Sequence, residues 1–290
     1  MRAKIHFFPA PFFQYKYRKF FYLCAMFKKL RTGYLLAGLL VFSLFSCSEY
    51  QKILTSNDYD LKYKKANEYY DKKDYTRAST LFAELIPVYR GTEKSEEVDY
   101  RYAYCYFNQQ DYIMAGYYFN NFVVSHPNSP KAEECSFMIA YCYYEDSPSS
   151  SLDQANTLKA IDELQMFMNM HPASTRVSEC NSLIDELRDK LVKKSYDNAS
   201  LYFKLSEYKA AITAIENSLK EYPDTRYREE LRFLLLKANS ELAKNSVTLK
   251  VKERYQATSE SFLTFRDEFP ESKHLKEAER IYEAATKYLK

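Results

Sequence analysis

From residue 59 onward, apolar and small positions recur at helical spacing and are interrupted by short polar turns. Three faces show the pattern directly. Tyr63, Asn67 and Tyr70, then Tyr100, Tyr104 and Phe107, then Phe137, Tyr141 and Tyr144 each stand at i, i+4, i+7, so each triplet lies along one side of a helix. The pattern predicts helices near 59–73, 75–89, 94–109, 111–125, 130–145, 152–170, 174–205, 208–221, 226–243, 248–269 and 272–289. Residues 147–151, Ser-Pro-Ser-Ser-Ser, read as the loop inside the third helix pair, and residues 48–58 as a short polar tether.

The turns repeat. His126-Pro127-Asn128-Ser129, His171-Pro172-Ala173-Ser174, Tyr222-Pro223-Asp224-Thr225 and Phe269-Pro270-Glu271-Ser272 follow one rule, with Pro-to-Pro spacings of 45, 51 and 47. Proline stops the helix before it, because its ring clashes with the preceding turn. The Ser or Thr is expected to cap the next helix by accepting a backbone N–H. Twelve residues before each Pro stands a small residue (Ala115, Ala160, Ala211, Thr258), and Ala78 takes that place in an earlier copy without the Pro. Tyr75, Tyr112, Tyr208 and Tyr255 precede four of these by three residues, and Ala66, Ala103 and Ala199 lie twelve before three of them. Small against large is how two antiparallel helices approach closely, and the repeat resembles the tetratricopeptide (TPR) hairpin with lengthened helices. The expected fold is all-α: a right-handed superhelix of about five TPR-like helical hairpins with a C-terminal capping helix. The long helix 174–205 marks the expected junction between N-terminal repeats (59–173) and C-terminal repeats (174–290).

Composition changes the picture at the N-terminus. The formal charge of +3 comes from 42 basic and 39 acidic residues, but residues 1–46 hold eight basic and no acidic ones. Without them 34 basic side chains face 39 acidic ones, a poor balance for sequence-independent nucleic-acid binding, and no nucleic acid is expected as a partner. Lys28, Lys29 and Arg31 precede an apolar run from Tyr34 to Phe45, too short to span a bilayer, and then Leu44-Phe45-Ser46-Cys47. This reads as an export signal over 1–46: a signal peptide over 26–46, with 1–25 ahead of what reads as the natural start, Met26. The Leu, Ser and Cys resemble the lipobox of bacterial lipoproteins, which makes Cys47 the expected lipidation site and 47–58 a lipid-anchored tether. Ser48 favours the outer membrane. Cys105, Cys135, Cys142 and Cys180 remain for the mature domain, with no CxxC spacing and no His at ligand spacing, and read as small buried thiols.

A lipidated Cys47-Ser48-Glu49-Tyr50-Gln51-Lys52 followed by about 240 residues of TPR-like hairpins with x-Pro-x-Ser/Thr turns resembles the BamD family, the outer-membrane lipoproteins of the β-barrel assembly machine. Tyr222-Pro223-Asp224-Thr225, just after the long helix, belongs to the same resemblance. It spans residues 47–290. It implies a scaffold at the outer membrane, facing the periplasm and reaching the membrane through its lipid anchor. It also implies two partners, a BamA-like barrel subunit and unfolded outer-membrane protein segments, and no cofactor. A different envelope TPR lipoprotein, such as a cell-envelope coordinator or a glycan-capture protein, is the alternative.

The chain offers little for catalysis. There is no P-loop, GxSxG or HExxH pattern. His126 and His171 occupy a turn position where Tyr222 and Phe269 also stand, so that position is structural, and His274 has no evident partner. What remains is a surface. The nine residues Tyr63, Asn67, Tyr70, Tyr100, Tyr104, Phe107, Phe137, Tyr141 and Tyr144 occupy helix positions that line the concave face of a TPR array, positions 5, 9 and 12 of the first helix in each hairpin. They read either as core rings packed against neighbouring repeats or as a groove for an extended peptide. Repeat four carries Tyr196, Ser200 and Phe203 at the same positions. Because acyl chains on one cysteine exceed the two-signal minimum for stable attachment, Cys47→Ala is expected to leave the protein unprocessed or soluble in the periplasm. Membrane fractionation checks this, and normal outer-membrane fractionation of the variant refutes the anchor.

Overall fold

The computed structural model describes residues 49–290, so Cys47 and the export signal expected over 1–46 lie outside the described residues. After a helical stretch at 49–54, eleven helices follow: α1 Tyr59–Asp71, α2 Tyr75–Tyr89, α3 Glu93–Asn108, α4 Tyr112–Ser125, α5 Ala132–Glu145, α6 Ala155–Met170, α7 Val177–Lys204, α8 Tyr208–Glu221, α9 Arg228–Lys244, α10 Thr248–Glu268 and α11 Leu275–Thr286. The chain falls into two compact units, one ending at Val98 and the other running from Asp99 to Lys290. In the first, α1 packs on α2. In the second, consecutive helices from α4 to α11 pack on one another, with the expected junction at 173/174 inside the unit, where α6 meets α7.

The small residues of the repeat sit where the helices of each hairpin meet. Ala66, Ala78, Ala103, Ala115, Ala160, Ala199, Ala211 and Thr258 are all fully buried. Thr258 fits because its hydroxyl donates to the Arg254 carbonyl at 3.0 Å. Large side chains fill the spaces these positions leave. Leu81, Phe82 and Leu85 do so in the first unit, and Phe119, Phe122, Leu164, Phe167, Ile215 and Phe265 in the second. The four cysteines are buried thiols, and burial pushes those of Cys105 and Cys142 up to about 12.

Two turn types alternate along the chain. Between the helices of one hairpin, Lys73, Gln110 and Ser206 each adopt a left-handed conformation with φ 63°. At each, the next N–H reaches back to close the helix: Asp74 to the Tyr69 carbonyl at 2.8 Å, Asp111 to Tyr106 at 3.0 Å, Glu207 to Tyr202 at 3.0 Å. Asp74 and Asp111 then cap the second helix, accepting from Arg77 N–H and Met114 N–H, both at 3.2 Å. Between hairpins, the hydroxyls of Ser129, Ser174, Thr225 and Ser272 accept from the N–H two residues on, at 3.0, 3.2, 3.2 and 3.0 Å. Their carbonyls accept from the residue three on, which is the first of α5, α7, α9 or α11. The hydroxyl therefore braces the turn rather than capping the helix, whose N-cap is Lys131, Arg176, Tyr227 or His274 without a side-chain cap, and these four helices start two to three residues later than the sequence pattern predicts. Where the Pro is missing, Gly91 makes the corresponding turn with φ 78°.

The segment before α1 differs from a polar tether. Ile53 is buried, and Tyr50 stands edge-on to Tyr69 at 5.7 Å with the Arg77 guanidinium over its ring at 5.3 Å. Buried Lys62 donates to the Leu54 carbonyl at 2.9 Å and pairs with Glu84. Ile53 and Tyr50, with the Leu54 carbonyl, thus dock this largely polar stretch on the first hairpin.

Two substitutions probe this architecture through urea-induced unfolding. Ala211→Leu overfills a closed helix contact and is expected to cost about 1–3 kcal/mol. Ser206→Gly removes left-handed strain and is expected to gain up to ~1 kcal/mol after glycine's larger chain-entropy loss. A neutral Ala211→Leu variant contradicts the hairpin register.

Candidate functional site: the ring-lined face of the hairpins

Each ring of the sequence-derived stripe has a defined structural neighbour. At position 5, the ring of one hairpin is covered by the residue two after the turn Ser or Thr of the next. Lys94 lies 5.1 Å from the Tyr63 ring centre, Lys131 4.5 Å from Tyr100, and the Arg176 guanidinium 4.3 Å from Phe137. Further along, Tyr227 stacks flat on Tyr196 (4.4 Å, 11°) and His274 on Phe233 (4.4 Å, 12°). A cation over an aromatic face and two offset rings both exploit the negative charge of the ring face. The five clamps are the same contact with different chemistry, and Phe137 is buried beneath its own.

Position 12 is closed within the hairpin. Tyr70, Phe107 and Phe203 meet Tyr75, Tyr112 and Tyr208, the tyrosines that open the second helix, edge to face at 5.6 Å each. Position 9 varies most. Asn67 donates to the Tyr63 carbonyl at 2.9 Å, and its Oδ1 is buried with no hydrogen-bond partner among the described residues. Tyr104 is edge-on to Phe119 at 4.9 Å and donates its hydroxyl to Glu134 at 2.6 Å. Tyr141 stacks between Phe137 (5.6 Å) and Tyr144 (5.5 Å), and the Tyr144 hydroxyl donates to Glu186 at 2.6 Å.

In the second unit the stripe is therefore one wall, Tyr100–Tyr104–Phe107–Tyr141–Tyr144, with Phe107 6.0 Å from Tyr141 joining the two hairpins. Its rings are half-buried. Burial raises Tyr100 and Tyr141 to about 12, and the Glu186 bond together with burial raises Tyr144 to about 12. Tyr104 rises as well, through burial first and the Glu134 carboxylate second. These phenols stay neutral donors at physiological pH. Sequence reading missed the clamps, the aspartate caps and the Tyr–Glu bonds. A signal for the clamps was present: Lys94, Lys131, Arg176, Tyr227 and His274 all follow a turn Ser or Thr (Thr92 in the first copy) by two residues.

The pre-proline histidines behave as structural groups. His126 pairs with Asp99 at 2.9 Å, and His171 packs on Phe167 with ring centres 5.0 Å apart.

The described residues thus define a helical-hairpin repeat protein whose distinctive feature is a ring-lined surface. The family model for YfiO, an outer membrane lipoprotein, matches residues 56–254, and the chain belongs to this family, that of BamD. No curated protein matches the chain. Among solved structures, the chain is similar to the TPR domain of P58(IPK), with 13% identity over 85% of this chain and 67% of that one and a TM-score of 0.37. It is also similar to the TPR2AB domain of yeast Sti1 in complex with pHSP90, with 14% identity over 79% of this chain and 98% of that one and a TM-score of 0.37. No helix of the described residues is long and apolar enough to cross a membrane.

The Tyr104–Glu134 bond gives a direct test of how the wall is held. Tyr104→Phe keeps the ring but leaves Glu134 without its donor, with an expected cost of about 1 kcal/mol. Tyr104→Ala also removes the ring and is expected to cost about 3–5 kcal/mol. Equal unfolding midpoints for both variants and the parent contradict a packed wall.

Proposed function

We propose that this protein is a lipid-anchored periplasmic scaffold, without chemistry of its own, that binds a BamA-like outer-membrane barrel subunit and helps deliver and insert β-barrel outer-membrane proteins. The observation that carries the reading is the family match over 56–254, which coincides with an array of hairpins whose inner positions hold rings. In this reading Cys47 carries the lipid. Only one residue, Ser48, separates it from docked Glu49, a reach of about 7 Å at most, so the acyl chains hold the first hairpin close to the bilayer surface.

We assign client segments to the N-terminal repeats and the barrel subunit to the C-terminal repeats. The tyrosine wall supports the first assignment. Its rings are fixed by their neighbours before any ligand arrives, so binding costs little side-chain ordering. Ring area rather than charge would supply the affinity, and capture of client peptide would depend weakly on salt. The anchored protein, affinity-tagged and recovered from mildly solubilised outer membranes, is expected to bring down a large β-barrel subunit in near-stoichiometric yield. Recovery of peptidoglycan-associated proteins without any barrel subunit refutes the reading and favours another envelope scaffold.

A further inference from the structure

Position 9 lines the same helix face in every hairpin, and in repeat four it is at its smallest. Where Tyr104 and Tyr141 fill the space between neighbouring first helices, repeat four has Ser200. The missing ring leaves a cleft of about 640 Å³ between α7 and α9, bordered by Tyr196, Ser200, Phe203, Phe233, Lys237 and His274. It is open to solvent rather than enclosed. Its ends are stiffened by the stacked pairs Tyr196–Tyr227 and Phe233–His274.

Lys237 is position 9 of the following hairpin and points its ammonium between two rings, 5.4 Å from the centre of Phe203 and 5.0 Å from that of Phe233. The ring faces favour the charged form but supply no hydrogen-bond acceptor of carboxylate strength. Among the described residues Lys237 makes no ion pair. Of the acidic groups at the cleft, Asp197 is taken by Lys193 at 2.6 Å. Glu230 stands two helical turns from Lys237 on α9, about 10 Å along the axis. The cleft therefore holds a half-buried, oriented cation flanked by apolar faces.

We propose that this cleft binds an extended, internal acidic segment of a partner polypeptide, whose carboxylate pairs with Lys237 while an apolar side chain lies on the half-buried ring of Phe203. An extended chain places residues i and i+2 on one face about 6–7 Å apart. A glutamate with an aromatic residue two positions away thus presents both groups to one side, at a spacing close to the 5.4 Å between the Lys237 ammonium and the Phe203 ring. An open cleft leaves room for the chain to continue beyond it. The proposal gives the scaffold reading a ligand chemistry and rests on it only in taking the ligand to be a polypeptide. The peptide titration is independent of barrel-subunit recovery, so either can fail alone.

The test uses the full chain in detergent and a fluorescein-labelled, C-terminally amidated nonapeptide of threonines, with a central glutamate flanked two positions away on each side by phenylalanine. A second peptide carries glutamine in place of the glutamate. Fluorescence anisotropy is expected to show the glutamate peptide binding at least tenfold more tightly, with the difference falling as salt rises. Lys237→Gln is expected to erase the difference and Lys237→Arg to keep it. Ser200→Tyr, which fills the cleft and leaves Lys237 in place, is expected to remove binding of both peptides with helicity unchanged by circular dichroism. Absence of binding to the parent chain, equal affinity for the two peptides, an undiminished glutamate preference in Lys237→Gln, or binding only when the peptide carries a free terminal carboxylate overturns the proposal.

Discussion

The contact on which the repeat depends is the clamp between successive hairpins. A residue set by the inter-hairpin turn lies flat on, or points its charge into, the position-5 ring of the hairpin before it. Lys94, Lys131, Arg176, Tyr227 and His274 do this with three different chemistries and nearly one geometry. For Lys131, Arg176, Tyr227 and His274 the turn places the residue, since the Ser or Thr hydroxyl holds its N–H. In two copies the same hydroxyl donates to a glutamate in the first turn of the preceding hairpin, Ser174 to Glu133 at 2.6 Å and Ser272 to Glu229 at 2.7 Å. Hydrogen bonding and ring stacking thus fix the same joint from two sides. A repeat array is stabilised by such nearest-neighbour interfaces, because no single hairpin buries its apolar face alone.

With positions 5 and 12 committed to these joints, position 9 is left to vary. Tyrosine there closes the face and ties it to the next helix through glutamate, as Tyr104 does with Glu134. Serine opens it, as at Ser200. One scaffold can in this way present a preformed wall in one place and a charged cleft in another without altering its backbone. The two surfaces differ in physics: one offers ring area, which salt hardly affects, and the other an oriented cation, which salt screens.

The N-terminal end follows the same economy. Ile53, Tyr50 and the Lys62 bond to the Leu54 carbonyl convert what composition describes as a tether into a docked segment. For an anchored protein this matters. A flexible linker would let the hairpins sample a wide zone away from the bilayer, whereas a docked one, under the proposed anchoring at Cys47, would keep the first hairpin near the surface.

Much of the helical architecture is legible in the residues alone. Local rules, with proline as a stop, a hydroxyl in the turn and alanine where helices touch, act within a few residues. They placed all eleven helices and the buried small positions, including Ala115 and Ala211. The helix starts after Ser129, Ser174, Thr225 and Ser272 were misplaced because the hydroxyl bond forms one turn earlier than a simple cap. The stripe was legible as a set of rings but not as a surface. Whether Phe137 or Tyr104 faces a ligand or a neighbour depends on Arg176 and Glu134, which stand 39 and 30 residues away in the chain and are brought there only by packing. The cleft at Lys237 was hidden for the same reason. A small residue on α7 opens space only in relation to a lysine on α9, and spacing along one helix carries no information about the helix beside it.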